Sequence, residues 1–151
     1  MTEFSRLYKI MAATAEEVQR GRFLIRGDDR VEVYQRDRYA EQEGFNLVSI
    51  KGLSEEEKTK QVEEYVWIPS CVDLRDVFFG DRRVQDSEKY AAQEFVNWQD
   101  RNADLLKKVS KELPSDDREH ALALLYVMEG TRFKKKWDWE GGKGWIKIER
   151  G

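Results

Sequence analysis

Apolar positions return along this chain with two different periods, and the period changes at turn-forming or helix-capping residues. Between Ser87 and Leu113, the residues Ala91, Phe95, Trp98, Leu105, Val109 and Leu113 recur every three, four or seven positions, which places them on one stripe of an α-helix. At ~1.5 Å rise per residue an unbroken helix of this length would reach roughly 40 Å, long for a small domain, so a break is predicted near Asp100 to Asn102. Pro114 stops this helix. Ser115, Asp116 and Asp117 then open a second one carrying Ala121, Leu122, Leu124, Leu125, Val127 and Met128, because acids and side-chain oxygens suit a helix start. The short connection predicts a packed antiparallel pair, about 87–113 and 115–129.

The N-terminal half has a shorter rhythm. Leu7, Lys9 and Met11 alternate with Tyr8, Ile10 and Ala12, which fits a strand or a short helix and is read as a strand. Thr14 with Glu17 has the spacing of a capping box, in which hydroxyl and carboxylate each satisfy an end amide. A helix over 15–20 is predicted there, closed by Gly21 in the left-handed region. Phe23–Ile25 and Val31–Tyr34 flank Arg26-Gly27-Asp28-Asp29-Arg30, a hairpin signal. The Arg-Gly-Asp tripeptide within it is read as turn chemistry rather than as an adhesion motif.

Further on, 45–50 reads as a strand ended by Gly52. Ser54 with Glu57 caps a charged, exposed helix to about Glu64, 65–68 is a strand ended by Pro69, and Ser70 with Asp73 caps a helix over 71–79 ended by Gly80. Past Gly130, two aromatic and basic runs flank Gly141-Gly142-Lys143-Gly144, a predicted β-hairpin. No repeat or low-complexity segment interrupts 1–151. The fold class read from the pattern is α+β: a single compact domain of short, mostly antiparallel strands, the C-terminal helix pair and a terminal hairpin.

Composition narrows the chemistry. Of 151 residues, 38% are charged and 40% hydrophobic, with five tryptophans, a mixture typical of a folded chain with a charged surface. No apolar run approaches the ~20 residues that cross a bilayer, and no signal-peptide core is present, so a cytoplasmic protein without membrane association is expected. Charge is segregated: nine basic and nine acidic residues in 1–51, eleven and eighteen in 52–130, seven and three in 131–151. One cysteine and one histidine rule out an intrachain disulfide and thiolate- or histidine-rich zinc sites. No metal ligands and no cofactor are assigned.

Cys71 falls at a helix start, where free amides favour a thiolate, but it is read as a small packing residue and only alternatively as a nucleophile. His120, among Asp116, Asp117 and Glu119, is read as part of a solvated first turn. Pairs such as Glu94 with Asp100, or Asp76 with Glu88, name no active site, and no catalytic residue is assigned. The tail joins Arg132, Lys134, Lys135, Lys136, Lys143, Lys147 and Arg150 to Trp137, Trp139 and Trp145. Cations meet phosphates and indoles stack on bases, which suits single-stranded nucleic acid, while packing against the core is the plainer account. The expected function is a small non-enzymatic binding or adaptor protein acting on a macromolecule, a protein rather than a nucleic acid. Nucleic-acid binding through the tail, and an enzyme using carboxylates or Cys71, are the alternatives.

Overall fold

The computed structural model describes residues 4–25, 30–79, 93, 95–129, 137–140 and 144–147, the side chains of 78, 79, 129 and the last two segments excepted. The elements in order are α1 (Arg6–Thr14), α2 (Glu16–Gly21), a 3-10 turn (Arg22–Leu24), β1 (Arg30–Gln35), β2 (Asn46–Ser49), α3 (Glu55–Glu64), β3 (Tyr65–Trp67) and α4 (Cys71–Phe79). After these come α5 (95–101), α6 (Ala103–Glu112), α7 (Ser115–Glu129), β4 (Trp137–Glu140) and β5 (Gly144–Lys147). The fold is α+β. A three-stranded antiparallel sheet in the order β2-β1-β3 stands beside the helices, and β4 pairs antiparallel with β5.

Residues 6–12 form a helix, not the strand expected from alternation. Ser5 starts it, its Oγ accepting the Tyr8 amide at 3.2 Å. Tyr8, Met11, Ala12 and Ala15 are all fully buried, a spacing of three, four and seven that the period-two reading concealed because Lys9, Ile10 and Ala13 are buried as well. The Thr14–Glu17 capping box also fails: Thr14 Oγ1 donates back to the carbonyls of Ile10 and Met11, and Ala15 occupies the cap of α2. Gly21 is right-handed, with φ −64°. Its lack of a side chain is explained by packing, since a Cβ there would lie 2.6 Å from Val77 Cγ1. Phe23 belongs to the 3-10 turn, and β1 pairs with β2 and β3 instead of with 23–25. Residues 26–29, which include the whole Arg-Gly-Asp tripeptide, lie outside the described residues.

Several other local signals are realised, while Gly80 and residues 141–143 lie outside the described residues. Both halves of the Ser54–Glu57 capping box are made, and α3 buries no residue. Gly52 turns at φ +71° after β2. The 95–112 helical run breaks at Asn102, whose amide and Nδ2 both return to the Trp98 carbonyl at 3.0 Å. Trp98, Val109 and Leu113 are buried while Phe95 and Leu105 pack partly against the core; Ala91 lies outside the described residues.

One core holds these pieces together. Helix α7 packs along α4 and also touches α1 and α2, and α1 lies against β3, α7 and β5. Leu74, Leu124, Leu125, Met128, Met11 and Trp67 are almost fully removed from solvent between them. Phe95 and Trp98 of α5 meet Tyr126 of α7 edge-on at 5.0 and 5.6 Å, so the C-terminal helices join through aromatic rings. Polar groups inside are tied to backbone: Gln19 donates to the carbonyls of Ala12 and Trp67 and accepts from the Trp67 amide, acting as a short extra strand on β3. Buried Arg22 donates to Gln19, Gln61 and the Tyr65 carbonyl, and burial, with Arg36 adding to it, lowers its guanidinium to about 9.

Candidate functional site

Pro69 ends the backbone run from β3, and its carbonyl accepts the hydroxyl of buried Tyr8 at 2.6 Å. Next in the chain, Ser70 makes the expected capping box: its Oγ accepts the Asp73 amide at 3.3 Å, while Asp73 Oδ2 accepts both the Ser70 amide and hydroxyl at 3.0 Å. The box fixes Cys71 as the first residue of α4. Because α7 packs along α4, His120 is delivered to that same point, and Cys71 Sγ lies 3.1 Å from His120 Nδ1. Both residues are half-buried, so the pair meets solvent.

The imidazole is held mainly by rings. Phe4 meets it edge-on at 5.3 Å, Tyr8 lies 6.1 Å away, and Phe4 and Tyr8 stack on each other at 5.0 Å. The position of Phe4 follows from its neighbour, since the Ser5 amide donates to Asp117 Oδ2 at 2.7 Å. Asp117 is 1% exposed, and its other oxygen, Oδ1, accepts no hydrogen bond among the described residues. The first turn of α7 is therefore not the solvated acidic turn expected from its composition. Asp117 points inward to anchor the chain's beginning, His120 reaches α4, and Asp116 and Glu119 remain exposed.

The thiol's surroundings favour its neutral form. Burial pushes the Cys71 thiol up and Glu119 adds to it, outweighing the helix start that favours a thiolate. Tyr8 is also raised well above its ordinary value, first by burial and then by Cys71, Asp117 and Asp73. A neutral thiol that donates to Nδ1 requires the ring proton on Nε2. In that state the imidazole can take the thiol proton as sulfur attacks, the defining geometry of a nucleophile beside its base. The amides of Cys71 and Val72, first in α4, have no acceptor within the helix. Among the described residues no carboxylate bonds the far side of the ring, and Phe4 and Tyr8 flank it instead.

The other candidates are not assembled. Glu94 and Glu88 lie outside the described residues, so neither carboxylate pair can be drawn, and among the described residues no group of three or more His, Cys, Asp and Glu could hold a metal. Of the tail, Arg132, Lys134, Lys135, Lys136, Lys143 and Arg150 lie outside the described residues, whereas β4 and β5 pair Trp137 with Lys147 and Trp139 with Trp145. An open cleft of about 480 Å³ is lined by Gln35, Arg36, Asp37, Glu63, Glu64 and Tyr65 and contains no nucleophile or imidazole. No described helix is long and apolar enough to cross a membrane.

Sequence reasoning placed Cys71 at its helix start and could not show that His120 is close to it. Those positions are 49 apart, and only the packing of α4 on α7 joins them. Phe4, Tyr8 and Asp117, which steady the imidazole, gave no signal beyond that of core or cap. No family model, curated protein or solved structure matches the chain.

Proposed function

We propose that the protein works as a cysteine nucleophile, with Cys71 attacking an electrophilic carbonyl carbon and His120 accepting its proton. The observation that carries this reading is the 3.1 Å separation of Sγ and Nδ1 in a half-buried pair. In the step, the sulfur–carbon bond forms, the bond to the leaving group breaks, and the leaving group takes the proton from His120. Water then releases the acyl group by the same route in reverse, with His120 as base. Reaction with p-nitrophenyl acetate tests it: a burst of nitrophenol and an acetyl adduct on Cys71 are expected, and both disappear in Cys71→Ser. An acetyl group found only on lysines, or a burst that survives the substitution, contradicts the reading.

A second, non-enzymatic reading draws on the hairpin register that sets Trp139 opposite Trp145 and Trp137 opposite Lys147. With the basic run from Arg132 to Lys136 preceding it in the sequence, this ribbon suits a single-stranded nucleic acid. Oligonucleotide should then quench tryptophan fluorescence, with each neutralised phosphate contributing about −0.7 to the logarithmic salt slope. An unchanged emission at low salt leaves the hairpin as packing. Binding of a protein partner is the remaining form of this reading.

A further inference from the structure

We propose that two copies of the chain pair through the free edge of β2, antiparallel about a two-fold axis at Leu47, so that their three-stranded sheets join into one. The sheet runs β2-β1-β3, and its two edges differ. At β3 the edge is occupied, because Gln19 bonds both the amide and the carbonyl of Trp67. At β2 it is open: among the described residues β2 pairs with β1 alone, and Asn46, Leu47 and Ser49 are exposed. Alternate amides and carbonyls of such a strand point away from the sheet, a template for another strand. Edges are commonly guarded by charge or proline, and Phe45-Asn46-Leu47-Val48-Ser49-Ile50 carries neither. Leu47 is 55% exposed, opposite exposed Glu32 of β1.

Symmetry and charge select the occupant and the register. A two-fold axis normal to the sheet keeps each side chain on its own face, so a residue can oppose only one an even number of positions away. Centring the axis on Leu47 sets leucine against leucine, Asn46 against Val48 and Phe45 against Ser49. Carried along the flanks, this register brings exposed Glu43 to exposed Lys51 of the second copy, and symmetry makes that pair twice. Gly44 would face Ile50; a Cβ built on Gly44 meets nothing within 4 Å, so this end is clear. Moving the axis to Asn46 or Val48 sets Glu43 opposite Ser49 or Leu53 and loses the match. Glu41, which the first of these brings toward Lys51, belongs to the turn after β1. Parallel in-register stacking sets Glu43 on Glu43 and Lys51 on Lys51, which like-charge repulsion opposes. The edge therefore fits one antiparallel copy, a closed two-fold pair, rather than a growing stack.

Two strands of this length bury less than about 1,200 Å², the low end for specific interfaces, so a reversible dimer dissociating at roughly 10–100 μM is expected. Sedimentation equilibrium of the full chain from about 1 μM to 1 mM checks it. The average mass should rise from one chain to two and stop there. Leu47→Lys, at an exposed position, places like charges together on the axis and should weaken association at least about tenfold. Glu43→Lys and Lys51→Glu should each weaken it about threefold or more, and combining them should restore it. Circular dichroism should be unchanged in all four variants. A monomer at the highest concentration, assembly beyond two copies, or a dimer indifferent to every variant overturns the proposal.

Discussion

The Asp117 carboxylate and the Ser5 amide meet at 2.7 Å across 112 positions of sequence, so α7 anchors the start of α1 and, with it, the ring that faces His120. Asp117→Ala should cost about 1–3 kcal/mol, because a part-buried backbone donor loses its acceptor. Asp117→Asn keeps a carbonyl oxygen for Ser5 and should cost less. Urea melts of both variants check this, and losses under about 0.5 kcal/mol in each would remove the anchor from the account.

Gly21 should resist even alanine. An added Cβ would meet Val77 Cγ1 at 2.6 Å, and Val77 is a stiff, fully buried side chain that cannot swing aside. Overpacking of this kind typically costs about 1–3 kcal/mol, more than the ~1 kcal/mol that alanine gains over glycine in a helix. The double variant Gly21→Ala with Val77→Ala should therefore be less destabilised than the sum of its parts. A purely additive thermal or urea result contradicts the contact.

Gln19 bonds both the amide and the carbonyl of Trp67, at 2.8 and 2.6 Å, while also taking a hydrogen bond from Arg22 at 2.7 Å. Gln19→Leu removes these partners from a 1%-exposed position and leaves a buried guanidinium under-satisfied. A loss of about 3–5 kcal/mol is expected in urea unfolding, at the upper end for one substitution. A variant within 1 kcal/mol of the parent, by that same scale, would mean water replaces the amide.

Alkaline pH should weaken the fold. Cys71 and Tyr8 both titrate above their ordinary values of 9.0 and 10.0, Cys71 through burial and Glu119, Tyr8 through burial and the acids around it. The folded chain then keeps protons that the unfolded chain has released, so the stabilisation is complete below the ordinary values and is lost as pH rises toward the raised ones. Unfolding free energy measured between pH 8 and 11 should fall, and Tyr8→Phe should flatten the fall. A flat parent profile contradicts the assigned surroundings of both groups.

Local chemistry was legible in the sequence at some caps and turns, though the Thr14–Glu17 box and the 23–34 hairpin were not formed. Ser54–Glu57 and Ser70–Asp73 form the boxes their spacing announces, and the helix break falls at Asn102. Errors gathered where tertiary packing decides. Alternation around Leu7 and Met11 resembled a strand because α1 is buried on most of its circumference, which erases the one-faced pattern. Gly21 answered to Val77 on another helix, not to its own backbone. The candidate site was half legible for the same reason: Ser70 and Asp73 set Cys71 at a helix start, but nothing local to His120 points to a thiol 49 positions earlier.

The central claim is that His120 activates Cys71, and the rate of native-state alkylation by iodoacetamide at pH 7 tests it most directly. Sulfur displaces iodide while its proton passes to the imidazole, so the parent should react at least about tenfold faster than His120→Gln, a modest share of the 10²–10⁴ typical of a positioned base. In the variant the rate should rise only as the thiol ionises at alkaline pH, above the ordinary 9.0 because burial and Glu119 hold the proton on. Equal rates in parent and variant at neutral pH, or labelling that appears only as the protein unfolds, would contradict the account and return Cys71 to a packing role.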